Sequence, residues 1–484
     1  MGAAEPAHVP PVIDHAARGH AMTLNRRHLL GLMAASLAAP AIARAQGLDI
    51  RPPARPVPDP RAVVARAGLP GRVSYALIGR GGEALALRQA AVPLAPASTM
   101  KAITALYALD RLGPDRRFRT QVIQSGDMMV LVGGGDPVLT TDELAQLAAD
   151  LASAGHPAPA RFAVWGGALP GLARIAGEQA EHLPYNPSIS GMMLNFNRVH
   201  LGWSRVGVDY RMEVEARAAS QSPRAYTVTA APGDHAQLFT YRQDPGRESW
   251  TVSRAAMGRA GSRWLPVRLP ELYAGDVFQT LCRARGLALP APEIIDRLPE
   301  GRVLAHHDSP AVATLLRDML RYSTNITAEA LGLHASGAAD LAGSGQAMQD
   351  WLGDLGRGMR LSDHSGLTDS SRIGTYAMAR ILDGPGRDLA LAPLLRRNPM
   401  SDEPGTEARR RVAAKTGTLN FVSNLAGYVT AAGGDEGVFA IFCIDAARRE
   451  GAIGQELPAG VSTWTRSAKE VQRDLLGAFA GRLA

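Results

Sequence analysis

At 484 residues the chain is too long for one ordinary domain, and with 46% hydrophobic and 20% charged residues it holds apolar material for more than one core. A formal net charge of +7 predicts attraction to anionic surfaces, such as a membrane face or carboxylate-rich wall polymer. No clustered Lys/Arg tract with interleaved aromatics marks a nucleic-acid binder. Two cysteines, Cys282 and Cys443, allow at most one internal disulfide and read as buried thiols; no His-Glu-x-x-His pair supports a metallohydrolase, so no metal or cofactor is expected.

The first predicted feature is an export signal. Met22 is a candidate start, and Arg26-Arg27 followed by the apolar run Leu29 to Ala43 has the layout of a twin-arginine signal peptide. The run is shorter than the roughly 20 residues a membrane span needs. Ala43-Arg44-Ala45 offers a cleavage site, which predicts a periplasmic protein beginning near Gln46; an uncleaved anchor is the alternative.

Val73 to Ile78 and Ala84 to Leu87 then read as a hairpin. Pro96-Ala97-Ser98-Thr99-Met100-Lys101 opens a helix through Ile103, Leu106, Tyr107 and Leu109 that stops at Gly113-Pro114. Ser98 falls in its first turn, with Lys101 three residues on and on the same face. A polar turn, Gly133-Gly134-Gly135-Asp136-Pro137, follows a short strand; it lacks the Gly-Lys-Ser/Thr ending of a phosphate loop.

Val312, Leu315, Leu316 and Met319 give one face of a helix capped by Ser309-Pro310. The turn Tyr322-Ser323-Thr324-Asn325 separates it from a helix over Ala328 to Leu333. Arg411 to Ala414 reads as a strand ending at Lys415-Thr416-Gly417-Thr418, where Gly417 permits close approach of another backbone. Strands over Asn424 to Thr430 and Val438 to Ile444 are joined by the Gly433-Gly434 turn, and an amphipathic helix over Trp464 to Phe479 closes the chain.

Lysine is nearly absent. Of 52 basic residues only Lys101, Lys415 and Lys469 are lysine. Arginine serves wherever a fixed positive charge is enough, whereas an amine can lose its proton when desolvated and act as a base. Lys101 and Lys415 lie inside short motifs, while Lys469 is explained by a solvated helix face.

Ser-x-x-Lys, Ser-x-Asn and Lys-Thr-Gly occur in that order, the set used by penicillin-interacting serine enzymes. On these motifs the chain resembles the D-alanyl-D-alanine carboxypeptidase/endopeptidase family of class C low-molecular-mass penicillin-binding proteins. Leu194-Asn195-Phe196-Asn197, Asp363-His364-Ser365-Gly366-Leu367 and the long separation of Lys101 from Ser323 add to the likeness. Arg321 and Tyr322 before Ser323, and the absence of asparagine after Ile444, depart from the pattern and leave fine substrate preference open.

The resemblance implies an α+β transpeptidase-type domain, a five-stranded antiparallel sheet flanked by helices, with a large insert between the first two motifs. The expected division is an N-terminal extension and signal over 1–45, a first catalytic segment over 46–120, the insert over 121–265 and a second catalytic segment over 266–484. It implies Ser98 as nucleophile, Lys101 as base, Ser323 as proton relay, and Asn325, Lys415, Thr416, Gly417 and Thr418 as substrate-binding residues, with no metal. Peptidoglycan stem peptides are the implied substrates and β-lactams the implied covalent inhibitors. A serine β-lactamase or esterase on the same fold, or a non-catalytic peptidoglycan-binding scaffold, are the alternatives.

Overall fold

The computed structural model describes residues 58–400 and 410–484, so the expected export signal lies outside the described residues. The described chain opens with α1 (Pro60–Ala67), β1 (Arg72–Ile78), β2 (Ala84–Arg88) and α2 (Met100–Leu112). Alternate side chains of β1 enter different cores: Ala76 and Ile78 face one, Val73, Tyr75 and Leu77 the other. A strand buried on both faces has no need of polar residues, which is why this segment reads as a nearly unbroken apolar run.

Next come β3 (Arg119–Ser125), β4 (Met128–Val132), α3 (Thr141–Ser153), β5 (Arg161–Trp165), β6 (Arg198–Val206), β7 (Asp209–Glu215) and β8 (Val228–Gly233). They are followed by β9 (Phe239–Asp244), β10 (Arg247–Ser253), α4 (Arg254–Met257), β11 (Ala260–Pro266), α5 (Pro270–Ala284), β12 (Pro292–Ile294) and β13 (Arg302–Asp308). These strands form a five-stranded sheet in the order β12-β5-β4-β3-β13 and two three-stranded sheets, β11-β6-β7 and β8-β10-β9. Leu144, Leu147 and Leu151 of α3, spaced on one helical face, pack with Tyr273, Val277 and Phe278 of α5 against Val122, Leu131 and Phe162. Because β13 pairs with β3, this sheet extends past the insert boundary drawn at residue 265.

The remainder holds α6 (Val312–Tyr322), α7 (Asn325–Ser336), α8 (Leu341–Trp351), α9 (Thr375–Asp383), α10 (Pro385–Asp388), β14 (Arg396–Arg397), β15 (Arg410–Leu419), β16 (Val422–Ala431), β17 (Glu436–Ile444), α11 (Ala446–Glu450) and α12 (Val461–Leu483). The main sheet runs β14-β15-β16-β17-β1-β2, antiparallel throughout. One face packs on α2, α6, α7 and α9; the other is covered by α1 and α12, where Phe479 meets the Tyr75 ring edge-on at 5.6 Å. Burying Phe439 and Phe479 there contributes roughly 1.5–3 kcal/mol each. Lys469 is exposed on α12, in keeping with a solvated face.

Four local expectations are corrected. The sheet has six strands, since the two-residue β14 pairs with Ala413 and Ala414. β15 continues through Lys415 to Leu419 because β16 pairs along its whole length. Ser309 does not cap α6: its hydroxyl accepts from the Phe118 amide and donates to the Pro310 carbonyl, and Ala311 is the N-cap residue. α7 begins at Asn325, three residues earlier than its apolar pattern suggested, because the turn after α6 is only two residues long.

Candidate active site

Ser98 lies in a single 3-10 turn, Ala97–Thr99, that runs directly into α2. Ala97, just before it, has φ +48, a left-handed conformation uncommon outside glycine. The turn is held from several sides. Thr99 Oγ1 donates to the Pro96 carbonyl at 2.7 Å, and Asn424 on β16 donates to the Ala95 and Pro96 carbonyls at 2.8 and 3.0 Å. On β15, a Cβ at Gly417 would lie 3.0 to 3.1 Å from Pro96 O, Thr99 N and Ser98 N. The strand therefore runs hard against the turn that carries Ser98, which a side chain at 417 would push away. β14 stops opposite Ala414, so among the described residues Lys415–Leu419 has no strand partner on that edge.

Lys101 is fully buried. Its Nζ lies 2.9 Å from Ser98 Oγ, 2.8 Å from Asn325 Oδ1 and 2.8 Å from the Ser365 carbonyl. The last two are acceptors only, so each must receive an N–H. A neutral amine has two hydrogens and one lone pair; once both hydrogens are committed, the lone pair faces the Ser98 hydroxyl. Burial pushes Lys101 down to about 7, while the carboxyls of Glu329 and Asp363 oppose that fall. Desolvation, more than a neighbouring cation, brings the amine within reach of neutrality.

Ser323 follows α6 in a left-handed conformation, φ +61, and its Oγ accepts from Lys415 Nζ at 2.9 Å. Lys415 is 2% exposed and also donates to the Thr416 carbonyl at 2.7 Å. It is held well below the usual lysine range by burial first, then by the positive charges of Lys101 and Arg396. No acid among the described residues offsets these, so the site around Lys415 suits an incoming anion. Thr416 is half-buried and Thr418 exposed. Asn325, besides accepting from Lys101, donates through Nδ2 to the Tyr185 carbonyl, which brings the β5–β6 connection to the site.

The eight residues singled out in the sequence thus gather where α2, α7 and β15 meet. The segment Asp363-His364-Ser365-Gly366-Leu367 completes their surroundings. Besides the Ser365 carbonyl on Lys101, Asp363 accepts from Ser371 Oγ at 2.7 Å and from the Thr368 amide at 3.1 Å. His364 stacks parallel to Tyr107, lies 2.6 Å from Ser344 Oγ and, pushed down by burial to about 3, is neutral. Glu329 went unremarked in the sequence, although a lone acid among Ile326, Ala328, Ala330 and Leu331 was a visible signal.

Two other motifs lie elsewhere. Gly133–Pro137 is a turn whose Asp136 accepts from the Val138 amide and is pushed by burial to about 7. Leu194–Asn197 is a turn with three successive positive φ values, tied by Asn195 to Thr141 and by Asn197 to Leu194 and Ser188. Cys282 and Cys443 are free and buried in separate cores. Among the described residues no His/Cys/Asp/Glu group could hold a metal, and no helix is long and apolar enough to cross a membrane.

A mixed sheet-and-helix domain carrying a serine beside a buried lysine is the architecture of the penicillin-binding and β-lactamase-like serine enzymes. Penicillin-binding protein 4 of Haemophilus influenzae shares the fold, with a TM-score of 0.69 at 19% identity, covering 87% of this chain and 99% of that one. The model of the D-Ala-D-Ala carboxypeptidase 3 (S13) family matches residues 75–465, and the chain belongs to that family. It is 26% identical to a D-alanyl-D-alanine carboxypeptidase from Actinomadura sp. strain R39, over 84% of this chain and 83% of that one. It is 28% identical to a carboxypeptidase of Mycobacterium tuberculosis, over 75% and 73%. The protein is a serine-type hydrolase of the D-Ala-D-Ala carboxypeptidase kind.

Proposed function

We propose that Ser98 is the nucleophile of a D-Ala-D-Ala carboxypeptidase and/or endopeptidase acting on peptidoglycan stem peptides, and that Lys101 is its base. The observation that carries this reading is Lys101 Nζ held 2.9 Å from Ser98 Oγ by two acceptor-only partners, a geometry in which the neutral amine turns its lone pair to Ser98. Lys101 takes the Ser98 proton as Oγ attacks the carbonyl of the penultimate D-Ala. The oxyanion is held by the Ser98 and Thr418 amides, a device typically worth about 3–4 kcal/mol. The closeness of the Gly417 backbone to Ser98 N supports that pairing.

Ser323, bonded to Lys415, delivers a proton to the leaving amine, and the bond between D-Ala and the departing group breaks. Asn325 fixes Lys101 and the substrate amide. Lys415, with Thr416 and Thr418, binds the terminal carboxylate, which supplies the counter-charge missing around its ammonium. The open edge of Lys415–Leu419 accepts the extended stem peptide as an added strand. Water then hydrolyses the ester on Ser98 and frees the enzyme; β-lactams acylate the same oxygen.

We further propose a catalytic domain made of residues 58–118 and 309–484, interrupted by an insert over 119–308, as the pairing of β13 with β3 suggests. Export by the twin-arginine route, cleavage near Ala45 and a periplasmic location with peripheral attraction to the membrane complete the proposal.

The activity is tested on purified protein with a pentapeptide ending in D-Ala-D-Ala, with crosslinked muropeptides and with nitrocefin. Release of D-Ala or of monomeric muropeptides is expected, with nitrocefin turnover far slower. Rapid nitrocefin turnover without peptide cleavage would instead mark a β-lactamase.

A further inference from the structure

Two of the three groups around Lys101 Nζ depend on α7. Asn325, its first residue, meets Nζ directly. Glu329, one turn later on the same face, does not touch Nζ but grips the segment that does. Its Oε2 accepts the His364 amide at 2.9 Å and its Oε1 accepts the Ser365 amide at 2.9 Å. With one bond to each of two successive amides, the segment cannot rotate, and the Ser365 carbonyl stays 2.8 Å from Nζ. Gly332, one further turn along, makes room: a Cβ there would lie 2.1 Å from the His364 ring.

Packing alone does not account for Glu329. It is fully buried on a helix whose other buried residues are uncharged and, Thr327 apart, apolar, and a carboxylate placed there loses its hydration at a cost of several kcal/mol. Both its oxygens accept N–H bonds, which favours the ionised form, while burial and the neighbouring Asp363 carboxyl push Glu329 up to about 8. The charged and titratable groups facing Lys101 are Glu329 from α7, Asp363 and the neutral His364 from the loop, and Lys415 from β15. Asp363 is occupied with Ser371 and Thr368 in holding the far end of the same loop.

We propose that Glu329 is a positioning residue for the base: by clamping the His364 and Ser365 amides it holds the Ser365 carbonyl against Lys101, and so aims the amine's lone pair at Ser98. The inference rests on the reading of Lys101 as the base. An amide at 329 can accept one backbone N–H but presents its own N–H to the other, so Glu329→Gln opens the clamp. Loss of the carbonyl acceptor weakens the hold on the ammonium, and to the extent that Glu329, pushed up to about 8, is ionised, the substitution also removes a negative charge that favours it. The protonation midpoint of Lys101, about 7 in the native protein, therefore falls.

The chain's three lysines make that midpoint directly readable. Protein labelled with ε-13C lysine gives at most three titrating signals, and Lys415→Arg and Lys469→Arg references assign Lys101. In Glu329→Gln the Lys101 midpoint is expected to drop by about one unit or more, and acylation by a fluorescent penicillin to slow by about tenfold to a hundredfold. Glu329→Asp keeps the charge but is too short to span both amides; its midpoint should stay within about half a unit, with acylation about three- to tenfold slower.

An unmoved midpoint in Glu329→Gln overturns the proposal, even if acylation slows, because a merely structural clamp would do that. Should Glu329→Gln show no cooperative melt, Glu329→Asp decides, and a native acylation rate in it overturns the proposal. Failure of penicillin to label Ser98 in the native protein would remove the reading of Lys101 as base. The lysine titration would still report whether Glu329 controls that amine.

Discussion

Lys101→Arg acylates with penicillin about a thousandfold or more slowly than the native protein at every pH from 6 to 9. General-base assistance is typically worth about 10²–10⁴, and a guanidinium cannot provide it, since it keeps its proton throughout this range and has no lone pair to offer. Its planar fork also cannot meet Ser98, Asn325 and Ser365 with the tetrahedral geometry that Nζ uses. With Lys101 as the proposed base the active form is the free amine, and burial holds Lys101 at about 7. Native acylation should accordingly rise as pH increases through about 7 and level off above it. The variant should lack that rise. Lys101→Met, which keeps length and bulk without the amine, is expected to lose as much. Stopped-flow measurement of acylation checks both, and a Lys101→Arg rate within about tenfold of native would remove the amine from the mechanism.

The second large effect is expected at a residue with no functional group. Gly366 has φ +74, and a Cβ there would lie 1.9 Å from the Ala97 carbonyl oxygen and 2.5 Å from its carbon. Ala97 is itself in a left-handed conformation immediately before Ser98. Gly366→Ala therefore meets three penalties: alanine at positive φ, an overpacked contact, and displacement of the turn that carries Ser98, the proposed nucleophile. The first two together cost about 2–5 kcal/mol of stability. A displacement near 1 Å at a reacting atom can cost about a hundredfold in rate. The variant should melt earlier and, where still folded, acylate about a hundredfold more slowly. Native stability and rate in Gly366→Ala would mean that the loop and the Ser98 turn do not constrain one another.

The sequence foreshadowed the strands and helices with clear periodicity. β1, β16 and β17 are largely apolar runs bounded by turn residues, and α2 carries its own stop at Gly113, so their positions were readable locally. The three short motifs could be found because each is contiguous. Features that depend on distant pairing were not readable. Nothing local marks Arg396 and Arg397 as a sixth strand, since that strand exists only because Ala413 and Ala414 offer an edge. Ser309 has the look of a helix cap, but a tertiary bond from the Phe118 amide claims its hydroxyl. Likewise, β13 belongs with β3 through a pairing that spans most of the insert.

Around the site, the approach of the Ser365 carbonyl to Lys101 and the hold of Glu329 on that loop join segments that are far apart in the chain. A single acid in an apolar helix and a Gly after a Ser were the local traces of that arrangement.

Whether Ser98 forms the covalent bond is tested most directly by mapping the penicilloyl group with mass spectrometry. Trypsin releases the peptide Gln89–Lys101, in which Ser98 and Thr99 are the only hydroxyl residues. One penicilloyl group is expected on that peptide, with fragmentation placing it on Ser98 and no label in Ser98→Ala. A label on any other residue, or one that survives in Ser98→Ala, would contradict Ser98 as the nucleophile.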